Sequence, residues 1–570
     1  MVQASTKAAG GAWEPPVDLS SPGEDSLEPR MAMNAAGHAV AVWVRFGSQP
    51  TVQAASRSPQ GNWGEPVDIS VPDYGGPSDL DVAIDPAGNA VVVWTRLNYD
   101  KSSSYVIEAV TKQAGGQWTP QVELSEAGNN AWGPRLAVDE TGHIVAVWSR
   151  WNDAGDTIVQ AIEKDPGEAW SETEDLSLEG DRAHSAVVEI SEGKTVVAWA
   201  RDEDEEEEDD ELIEATAKEA SGPWEEPVEI SELRSTIPKL GMDAQGNVLA
   251  LWTSESEDGL TPEVSTLPIG GTWTNPIPLS EPNPVDGLEP EIAVDPAGRA
   301  AVVWRAWNGT SPVIEARTGS VGGGWGTPVP ISPPEAWSSS PEVAMDGAGN
   351  VATVWRAAIK SDWTTQARVF DATSPVLNSV SIPPLGRAGR PIAFSAAPFD
   401  AWSPTNWVRW AFGDGSTAGG SSAVHSFEEA GRFQVTVTAT DAAGHSTVAS
   451  GLIKVTPALA VSSRVVSVKN DKARLSLHCP GTADCRGGAR LTRRIAGRKG
   501  PRRARLTRYF KFTISANARQ IVTTRLKPKA LKFFRDASRK GLRAELTGNA
   551  VEPRDIVLRP ATTRKPKPRR

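Results

Sequence analysis

Seven tryptophans recur at nearly equal intervals along the first two thirds of this 570-residue chain. The intervals between consecutive members are 51, 54, 51, 53, 52 and 51 residues. A period of about 50 residues built from short apolar runs is typical of a radial array of small sheets. One repeat unit therefore constrains the architecture of residues 1–370 as a whole. The repeating tryptophans are Trp43, Trp94, Trp148, Trp199, Trp252, Trp304 and Trp355.

Each repeat contains the elements of four strands. The first half is an apolar run, an Asp-x-x-Gly turn and a second apolar run that ends in Trp, as in residues 81–94 and 291–304. Aspartate can accept hydrogen bonds from the backbone of such a turn, and glycine adopts positive φ, so this half predicts a hairpin. The second half is Ile/Val-Glu/Gln-Ala, then Trp-x-x-Pro-Val-x-Ile/Leu-Ser, as in residues 63–70. The chain is therefore predicted to be all-β, with residues 1–370 forming a seven-bladed β-propeller.

The repeat array does not begin with the first strand of a blade. The first motifs are those of a third and a fourth strand, in residues 2–5 and 13–20. We therefore predict that the N-terminal strand at residues 17–19 completes the last blade and closes the ring. The third-strand motif occurs eight times and the others seven times, so the copy at residues 2–5 is left over by this closure. A start in mid-blade also predicts that the true N-terminus lies upstream of Met1.

Residues 54–67 resemble the Asp-box hairpin of sialidase-like (BNR) propellers, although the turn aspartate of that family is missing here and from residues 318–325. The resemblance implies the propeller fold over about 370 residues. An active sialidase would imply a tyrosine nucleophile, a carboxylic acid and three arginines. The predicted propeller has only Tyr74, Tyr99 and Tyr105, and the family's Arg-Ile-Pro element is absent. A sialidase-like glycoside hydrolase is therefore the alternative, and a non-enzymatic protein is favoured.

Arginines recur close to the repeating tryptophan in most blades. A repeated cation at one blade position favours a structural partner for the blade edge over a clamp for substrate. Such partners are expected from Arg45, Arg96, Arg150 and Arg201, and from Arg305 and Arg356 one place earlier.

Residues 371–457 carry a different pattern. Phe433, Val435 and Val437 alternate with polar residues, which predicts a half-buried strand. Together with Trp410-Ala-Phe-Gly-Asp-Gly at 410–415 and His-Ser-Phe at 425–427, this segment resembles the PKD domain. The resemblance implies an immunoglobulin-like β-sandwich that is common in surface and secreted proteins. Asp414 and His425 are interpreted as turn-stabilising residues.

The rest of the chain is strongly basic. Residues 457–570 contain 31 Lys/Arg and 6 Asp/Glu, a net charge of +25, whereas the preceding residues carry −39. We predict a small basic β-rich domain at 458–560, with a short helix near residues 530–538, and a disordered basic tail at 561–570. Cys479 and Cys485, the only cysteines, are predicted to form a disulfide, which implies an oxidising compartment. A zinc site with His478 is the alternative.

Five tryptophans of the predicted propeller fall outside the repeat. Tryptophan combines a large apolar face with a polar N–H, so on a rigid loop it can stack against a sugar ring. The alternative interpretation is packing between blades. The candidate ligand-binding residues are Trp132, Trp151, Trp307, Trp337 and Trp363.

Residues 202–211 form an uninterrupted acidic run within the fourth repeat. Such a run predicts a solvated loop, with Ca²⁺ capture and docking of the basic domain as alternatives. The histidines show no metal-binding spacing, so no metal site and no cofactor are predicted. The aspartates of this acidic loop are Asp202, Asp204, Asp209 and Asp210.

These features predict a binding or adhesion protein. A propeller face would recognise a polysaccharide or a surface protein, and residues 458–570 would adhere to an anionic cell-envelope polymer. An extracellular or cell-surface location is expected, although no signal peptide and no membrane-spanning stretch is visible. Nucleic-acid binding is a further alternative, because Tyr509, Phe510 and Phe512 alternate with basic residues. The cysteine pair and the PKD-like segment disfavour it.

Overall fold

The computed structural model describes most of the chain. The exceptions are residues 60, 73–74, 100–102, 179, 192, 203–210, 221, 360–361, 457–458, 480–483, 496–501, 538–540, 549–550, 552–553 and 562–570. Asp204, Asp209 and Asp210 of the acidic loop lie outside the described residues, as does nearly all of the predicted basic tail. The chain divides into two compact units, Met1–Thr373 and Ser374–Arg570.

The first unit contains seven antiparallel sheets in succession, which are the blades, preceded by a hairpin. Six blades have four strands, and in the described part of the chain the seventh has three. The hairpin consists of β1 (Gln3–Ala4) and β2 (Val17–Asp18). The strands of blades 1 to 4 are β3 (Ser26–Met33), β4 (Ala39–Arg45), β5 (Thr51–Arg57), β6 (Val67–Asp68); β7 (Pro77–Ile84), β8 (Ala90–Asn98), β9 (Ser104–Lys112), β10 (Val122–Glu123); β11 (Ala131–Val138), β12 (Ile144–Trp151), β13 (Thr157–Lys164), β14 (Glu174–Asp175); β15 (Ala183–Ser191), β16 (Lys194–Asp202), β17 (Glu211–Glu219) and β18 (Val228–Glu229). Those of blades 5 to 7 are β19 (Ser235–Met242), β20 (Val248–Ser256), β21 (Gly259–Leu267), β22 (Ile277–Pro278); β23 (Glu291–Val294), β24 (Arg299–Trp307), β25 (Pro312–Ser320), β26 (Val329–Pro330); β27 (Trp337–Met345), β28 (Val351–Ile359) and β29 (Asp362–Phe370).

The repeating tryptophans lie in the second strand of each blade and are buried. Six of them pack between blades, and Trp43 packs between blade 1 and the hairpin. In blade 2, Trp94 Nε1 donates a hydrogen bond to Glu108 Oε2 at 3.0 Å, and Arg96 Nη2 donates to the other oxygen of this carboxylate at 2.8 Å. This contact explains the Glu/Gln-Ala motif of the third strand. Burying the indole leaves its N–H in need of an acceptor. The Glu or Gln supplies it at 3.0 Å for Trp43, Trp94 and Trp199.

Four of the recurring arginines also have carboxylate partners within their own blade. This confirms the structural role expected for those that follow the repeating tryptophan by two residues. These pairs are Arg45–Asp68, Arg96–Glu108, Arg150–Asp175 and Arg201–Glu229.

The N-terminal hairpin has the register of a third and a fourth strand. Gln3 pairs with Asp18 just as Gln53 pairs with Asp68 in blade 1, and in both cases the glutamine Nε2 donates to the aspartate Oδ1, at 2.7 and 2.8 Å. The Ser20 hydroxyl accepts a hydrogen bond from the backbone N–H of Val2, as the motif serine does in the complete blades. The motif copy at residues 2–5 is therefore used in this hairpin.

This arrangement differs from the ring closure predicted from the sequence. The strand at Val17–Asp18 pairs with β1, and the hairpin packs on blade 1 against Trp43. Among the described residues, β29 pairs with β28 and with no other strand. The local pairing costs less chain entropy, because it closes a short connection instead of joining strands that are more than 340 residues apart. Along β3, Met31 and Met33 are 60% and 61% exposed.

The second unit begins with a β-sandwich. Its buried cluster centres on Trp410, Phe394 and Phe427, and Asp414 Oδ2 lies 2.7 Å from His425 Nε2 beside the turn that follows Trp410. The sheets contain β30 (Val376–Ser381), β31 (Leu385–Arg387), β32 (Ile392–Phe399), β33 (Thr405–Ala411), β34 (Thr417–Gly419), β35 (Ser422–His425), β36 (Gly431–Asp441) and β37 (Ser446–Thr456).

A separate buried cluster organises the basic segment, where one sheet packs against one helix, α1 (Pro528–Asp536). This confirms the mostly-β prediction and the short helix. The predicted disulfide is present, joining Cys479 and Cys485, both of which are buried. The strands are β38 (Ala460–Val461), β39 (Val465–Lys469), β40 (Lys472–His478), β41 (Cys485–Ile495), β42 (Arg502–Arg505), β43 (Phe510–Ile514), β44 (Arg519–Arg525), β45 (Leu542–Gly548) and β46 (Arg554–Pro560).

Within the described residues, no helix is both long enough and apolar enough to cross a membrane.

Candidate ligand-binding face of the propeller

The five tryptophans outside the repeat share one end of the blades. Each lies beside the C-terminal end of a blade's second strand, either on that strand or on a strand paired with it. Second strands run in the same sense in successive blades, so these side chains belong to one face, which we call the rim. Trp151, Trp307, Trp337 and Trp363 are 44%, 39%, 50% and 52% exposed, and Trp132 is half-buried.

Only one pair of these tryptophans is in ring contact in the described part of the chain. The ring centroids of Trp132 and Trp151, both in blade 3, lie 6.0 Å apart with the planes tilted by 45°. In blades 6 and 7, by contrast, the partners are cations. The Arg356 guanidinium lies 4.7 Å from the Trp363 ring centroid, and that of Arg305 lies 6.0 Å from Trp337.

The paired tryptophans form one wall of a pocket of about 330 Å³ between blades 3 and 4. An apolar wall opposite a few polar groups is the usual composition of a small-ligand site. The polar lining residues are Thr157, Arg182, His184, Ser185 and Asp202.

Three potential metal ligands meet at this pocket. His184 Nε2 lies 3.1 Å from Asp202 Oδ1 and 3.7 Å from Glu211 Oε1, and the three ligand atoms all lie within 4.8 Å of one another. The sequence prediction missed this group because its members come from three successive strands. Of these, Asp202 and Glu211 were visible as the two ends of the acidic run, but nothing in the spacing marked His184.

A second cluster of charges lies where the first strands of the blades meet. In every blade a residue with positive φ lies in the first strand or two places before it, such as Asp79 at 53° and Gly133 at 63°. In several blades the strand pairing shifts register at this residue, as in a β-bulge. A charged residue follows it two places later, except in blade 4, where Val187 holds that place and the charged Glu189 lies four places after Ser185. We call the charged set the channel ring. Its members are Arg30, Asp81, Arg135, Glu189, Lys239, Glu291 and Glu342.

Interactions within the channel ring run from blade to blade. Asp81 Oδ2 accepts a hydrogen bond from the backbone N–H of Leu136 in the next blade, at 3.0 Å. Burial raises the pKa of the Glu342 carboxyl, and Glu291 adds to the rise, while Lys239 and Arg30 oppose it. Because Arg30 belongs to blade 1 and Glu342 to blade 7, the two ends of the blade series lie near each other.

Burial has its clearest electrostatic effect on Glu189. It raises the pKa of this carboxyl to about 7, and the charge of Asp81 contributes in the same direction. The pKa of Asp81 is also raised by burial, against the opposing effects of Arg135 and Arg30. The channel ring therefore holds carboxyl groups that resist ionisation, and its cations limit the cost of charging them.

Residues 372–456 match the family model of the PKD domain, in agreement with the sandwich and its core. The chain therefore combines a seven-bladed β-propeller with a PKD domain. Among curated proteins, none matches the sequence of this chain.

Several solved structures are similar to the propeller in fold. The BP39L lectin from Burkholderia pseudomallei is 14% identical over 60% of this chain and 96% of its own, with a TM-score of 0.41. The propeller domain of the Trilobed protease from Pyrococcus furiosus is 14% identical over 62% of this chain and 99% of its own, with a TM-score of 0.39. The intramolecular trans-sialidase from Ruminococcus gnavus is 12% identical over 62% and 97%, with a TM-score of 0.37.

Proposed function

We propose that this protein is a non-enzymatic carbohydrate-binding protein of the cell surface or the extracellular space, and that the Trp132–Trp151 pocket is its ligand site. The main observation behind this proposal is that two tryptophan rings in contact line a rim pocket. Arg182, His184 and Asp202 line the same pocket. Sugar rings offer apolar C–H faces and many hydroxyls. Aromatic walls with neighbouring charged acceptors and donors suit both features.

Rigidity supports the choice of this pair over the other rim tryptophans. Trp132 and Trp151 lie on adjacent paired strands, so a ligand would find both rings already oriented and little conformational entropy would be lost on binding. Trp363 and Trp337 contact arginines instead, and those cations would have to be displaced before the ring face could receive a sugar.

The test is binding of the full chain to a glycan array and to insoluble polysaccharides. Trp132→Ala and Trp151→Ala should each weaken retention about tenfold, on the order of one aromatic contact. Trp363→Ala, which removes an equally exposed rim tryptophan outside the pocket, is the matched control and should bind as the parent protein does. Retention that survives the double substitution in the pocket would refute the proposal.

The glycoside hydrolase alternative predicts a different result. A sialidase-like activity would release fluorophore from fluorogenic glycosides, and it would require a tyrosine nucleophile. Tyr99 and Tyr105 are exposed, at 53% and 45%, in blade 2. Turnover that is lost in a Tyr105→Phe or Tyr99→Phe variant would replace the binding proposal with an enzymatic one.

A second function is proposed for the basic domain, namely adhesion to an anionic envelope polymer. Arg490, Arg503, Arg505 and Tyr509 line a groove of about 500 Å³, in which the Arg490 guanidinium lies 5.2 Å from the Tyr509 ring centroid. In the groove, Arg503 Nη2 is 3.0 Å from Glu545 Oε1. Arginine donors match phosphate and carboxylate groups in geometry, so this groove fits a polyanion.

Salt dependence tests this adhesion. Binding of the full chain to isolated cell wall should fall steeply as salt rises, and Arg490→Gln with Arg505→Gln should weaken it and flatten the salt dependence. The matched control, Arg474→Gln with Arg525→Gln, removes two exposed arginines from β40 and β44 outside the groove. Adhesion that is insensitive to the groove variants, or equal to that on duplex DNA, would contradict a wall-directed role.

A further inference from the structure

Blades 3 and 4 place different chemistry at the same three positions. The residue before the bulge of the first strand is Trp132 in blade 3 and His184 in blade 4. The residue three places after the repeating tryptophan is Trp151 in blade 3, paired with Thr157. In blade 4 it is Asp202, paired with Glu211. The rim pocket is therefore lined by an aromatic pair on one blade and by His184 and Asp202 on the next, with Glu211 beside them.

The orientation of the His184 ring is the key observation. Nδ1 lies 3.1 Å from the Ser185 hydroxyl, while Nε2 is directed at the oxygens of Asp202 and Glu211. With the Nδ1 proton donated to Ser185, three lone-pair-bearing atoms converge on one point. Such a convergence is repulsive unless a positive charge lies between the atoms, and that charge is either a proton on Nε2 or a cation.

We propose that His184, Asp202 and Glu211 bind a divalent transition-metal cation of the Mn²⁺ or Zn²⁺ class. One imidazole nitrogen with two carboxylates suits these ions better than Ca²⁺, which takes oxygen ligands. Donor atoms about 2.1 Å from a shared ion stand roughly 3 to 3.5 Å apart, which is close to the separations of 3.1 and 3.7 Å observed here. Ser185 would be the outer partner that fixes the imidazole.

The negative charge of the acidic run would attract cations to this site. Residues 203–210, which connect Asp202 to Glu211, carry eight carboxylates in sequence. A field of that sign raises the local concentration of cations. Three protein ligands leave coordination positions open. Because His184 and Asp202 also line the pocket, sugar hydroxyls could occupy such positions. This last role rests on the proposed carbohydrate site, whereas cation binding itself does not.

The experiment is Mn²⁺ titration of the EDTA-treated full chain, followed by electron paramagnetic resonance without any glycan. One Mn²⁺ should bind with a nitrogen coupling in the pulsed spectrum. His184→Ala should remove that coupling and weaken binding about tenfold or more. The matched control is His143→Ala, since His143 Nδ1 lies 2.7 Å from Asp165 and its Nε2 lies 3.7 Å from Glu163, so its two nitrogens face different carboxylates.

A variant with residues 203–210 replaced by Gly and Ser separates the site from loose binding to the loop, and it should keep the nitrogen coupling. The proposal is overturned if the parent protein shows no nitrogen coupling at millimolar Mn²⁺. It is also overturned if His184→Ala leaves the coupling intact. Loss of glycan binding in the tryptophan variants with Mn²⁺ binding unchanged would bear on the pocket alone, so the two proposals fail separately.

Discussion

Lys239 Nζ lies 2.6 Å from Glu291 Oε1, which joins the first strands of blades 5 and 6. The pair belongs to the channel ring, and Glu342 of blade 7 lies close enough for both residues to act on its pKa, in opposite directions. Lys239 thus faces two carboxyl groups from two other blades. A cation in this place offsets the charge repulsion that arises when acidic residues of neighbouring blades meet.

Removing that cation should destabilise the propeller. We expect Lys239→Gln to lower the free energy of unfolding by about 1 kcal/mol at neutral pH, since both partners are partly exposed and screened. Urea unfolding followed by tryptophan fluorescence measures the change. Lys239→Gln combined with Glu291→Gln should recover part of the loss, because the second substitution removes one of the two carboxylates. Additive losses in the double variant would show that the pair is not coupled.

Glu189 gives a prediction with a defined pH range. Its pKa rises from 4.5 to about 7 in the folded protein, so the folded state holds a proton that the unfolded state has already lost. Stability therefore falls as the pH rises from about 4.5 to about 7 and is level above that range. Glu189→Gln should be more stable than the parent at pH 8, by up to about 3 kcal/mol, and equal to it near pH 4. Thermal unfolding at both pH values tests this, with the exposed Glu65→Gln as the control, and an equal gain at both would contradict it.

The sequence was sufficient for the fold because its repeat reports burial directly. Trp94 and its counterparts occur at one interval because each fills an equivalent gap beside its blade. The periodicity therefore predicted the number of blades and the position of each strand. The closure of the ring was not predictable in the same way. Residues 17–18 have the motif of a fourth strand, and the motif does not state which third strand they pair with.

The site was predictable only in part. The sequence marked Trp132 and Trp151 as exceptions to the repeat, but their contact depends on the register between β11 and β12. His184 carried no signal at all, since its partners lie 18 and 27 residues away along the chain and meet it only through strand pairing. Chemistry assembled across strands leaves no fixed spacing in a sequence.

The two classes of tryptophan should differ sharply in their effect on stability. Trp94→Phe leaves a gap in the interface between blades and removes the donor for Glu108, so we expect a loss of about 2 to 4 kcal/mol. Trp363→Phe, on the exposed rim, should change stability by less than about 0.5 kcal/mol. Chemical unfolding of both variants compares them under one condition. Equal losses would mean that the repeating tryptophans are not the main packing residues.

The disulfide of the basic domain closes a short loop, and its loss should be correspondingly moderate. In the chain-entropy model a loop of this size contributes about 2 kcal/mol. Cys479→Ser with Cys485→Ser should therefore lower the unfolding temperature of the second unit and leave that of the propeller unchanged. Calorimetry of the full chain resolves the two. A fall in the propeller transition would show that the units do not unfold independently.

The residue with positive φ that recurs in the first-strand region of each blade separates two kinds of position. On one side of it lie the packed strands and the channel ring, and on the other lies the rim, which begins with the residue directly before it. In six blades that position holds Leu27, Ser78, Trp132, His184, Thr236 and Ser339. In blade 6 it holds Leu288, which is buried in the core. Its occupant can be apolar, hydroxylic, aromatic or metal-ligating while the backbone beneath it keeps the same turn. The binding specificity of the propeller can thus change one blade at a time. Only the side chain at an exposed rim position has to be exchanged, and the interior does not have to repack.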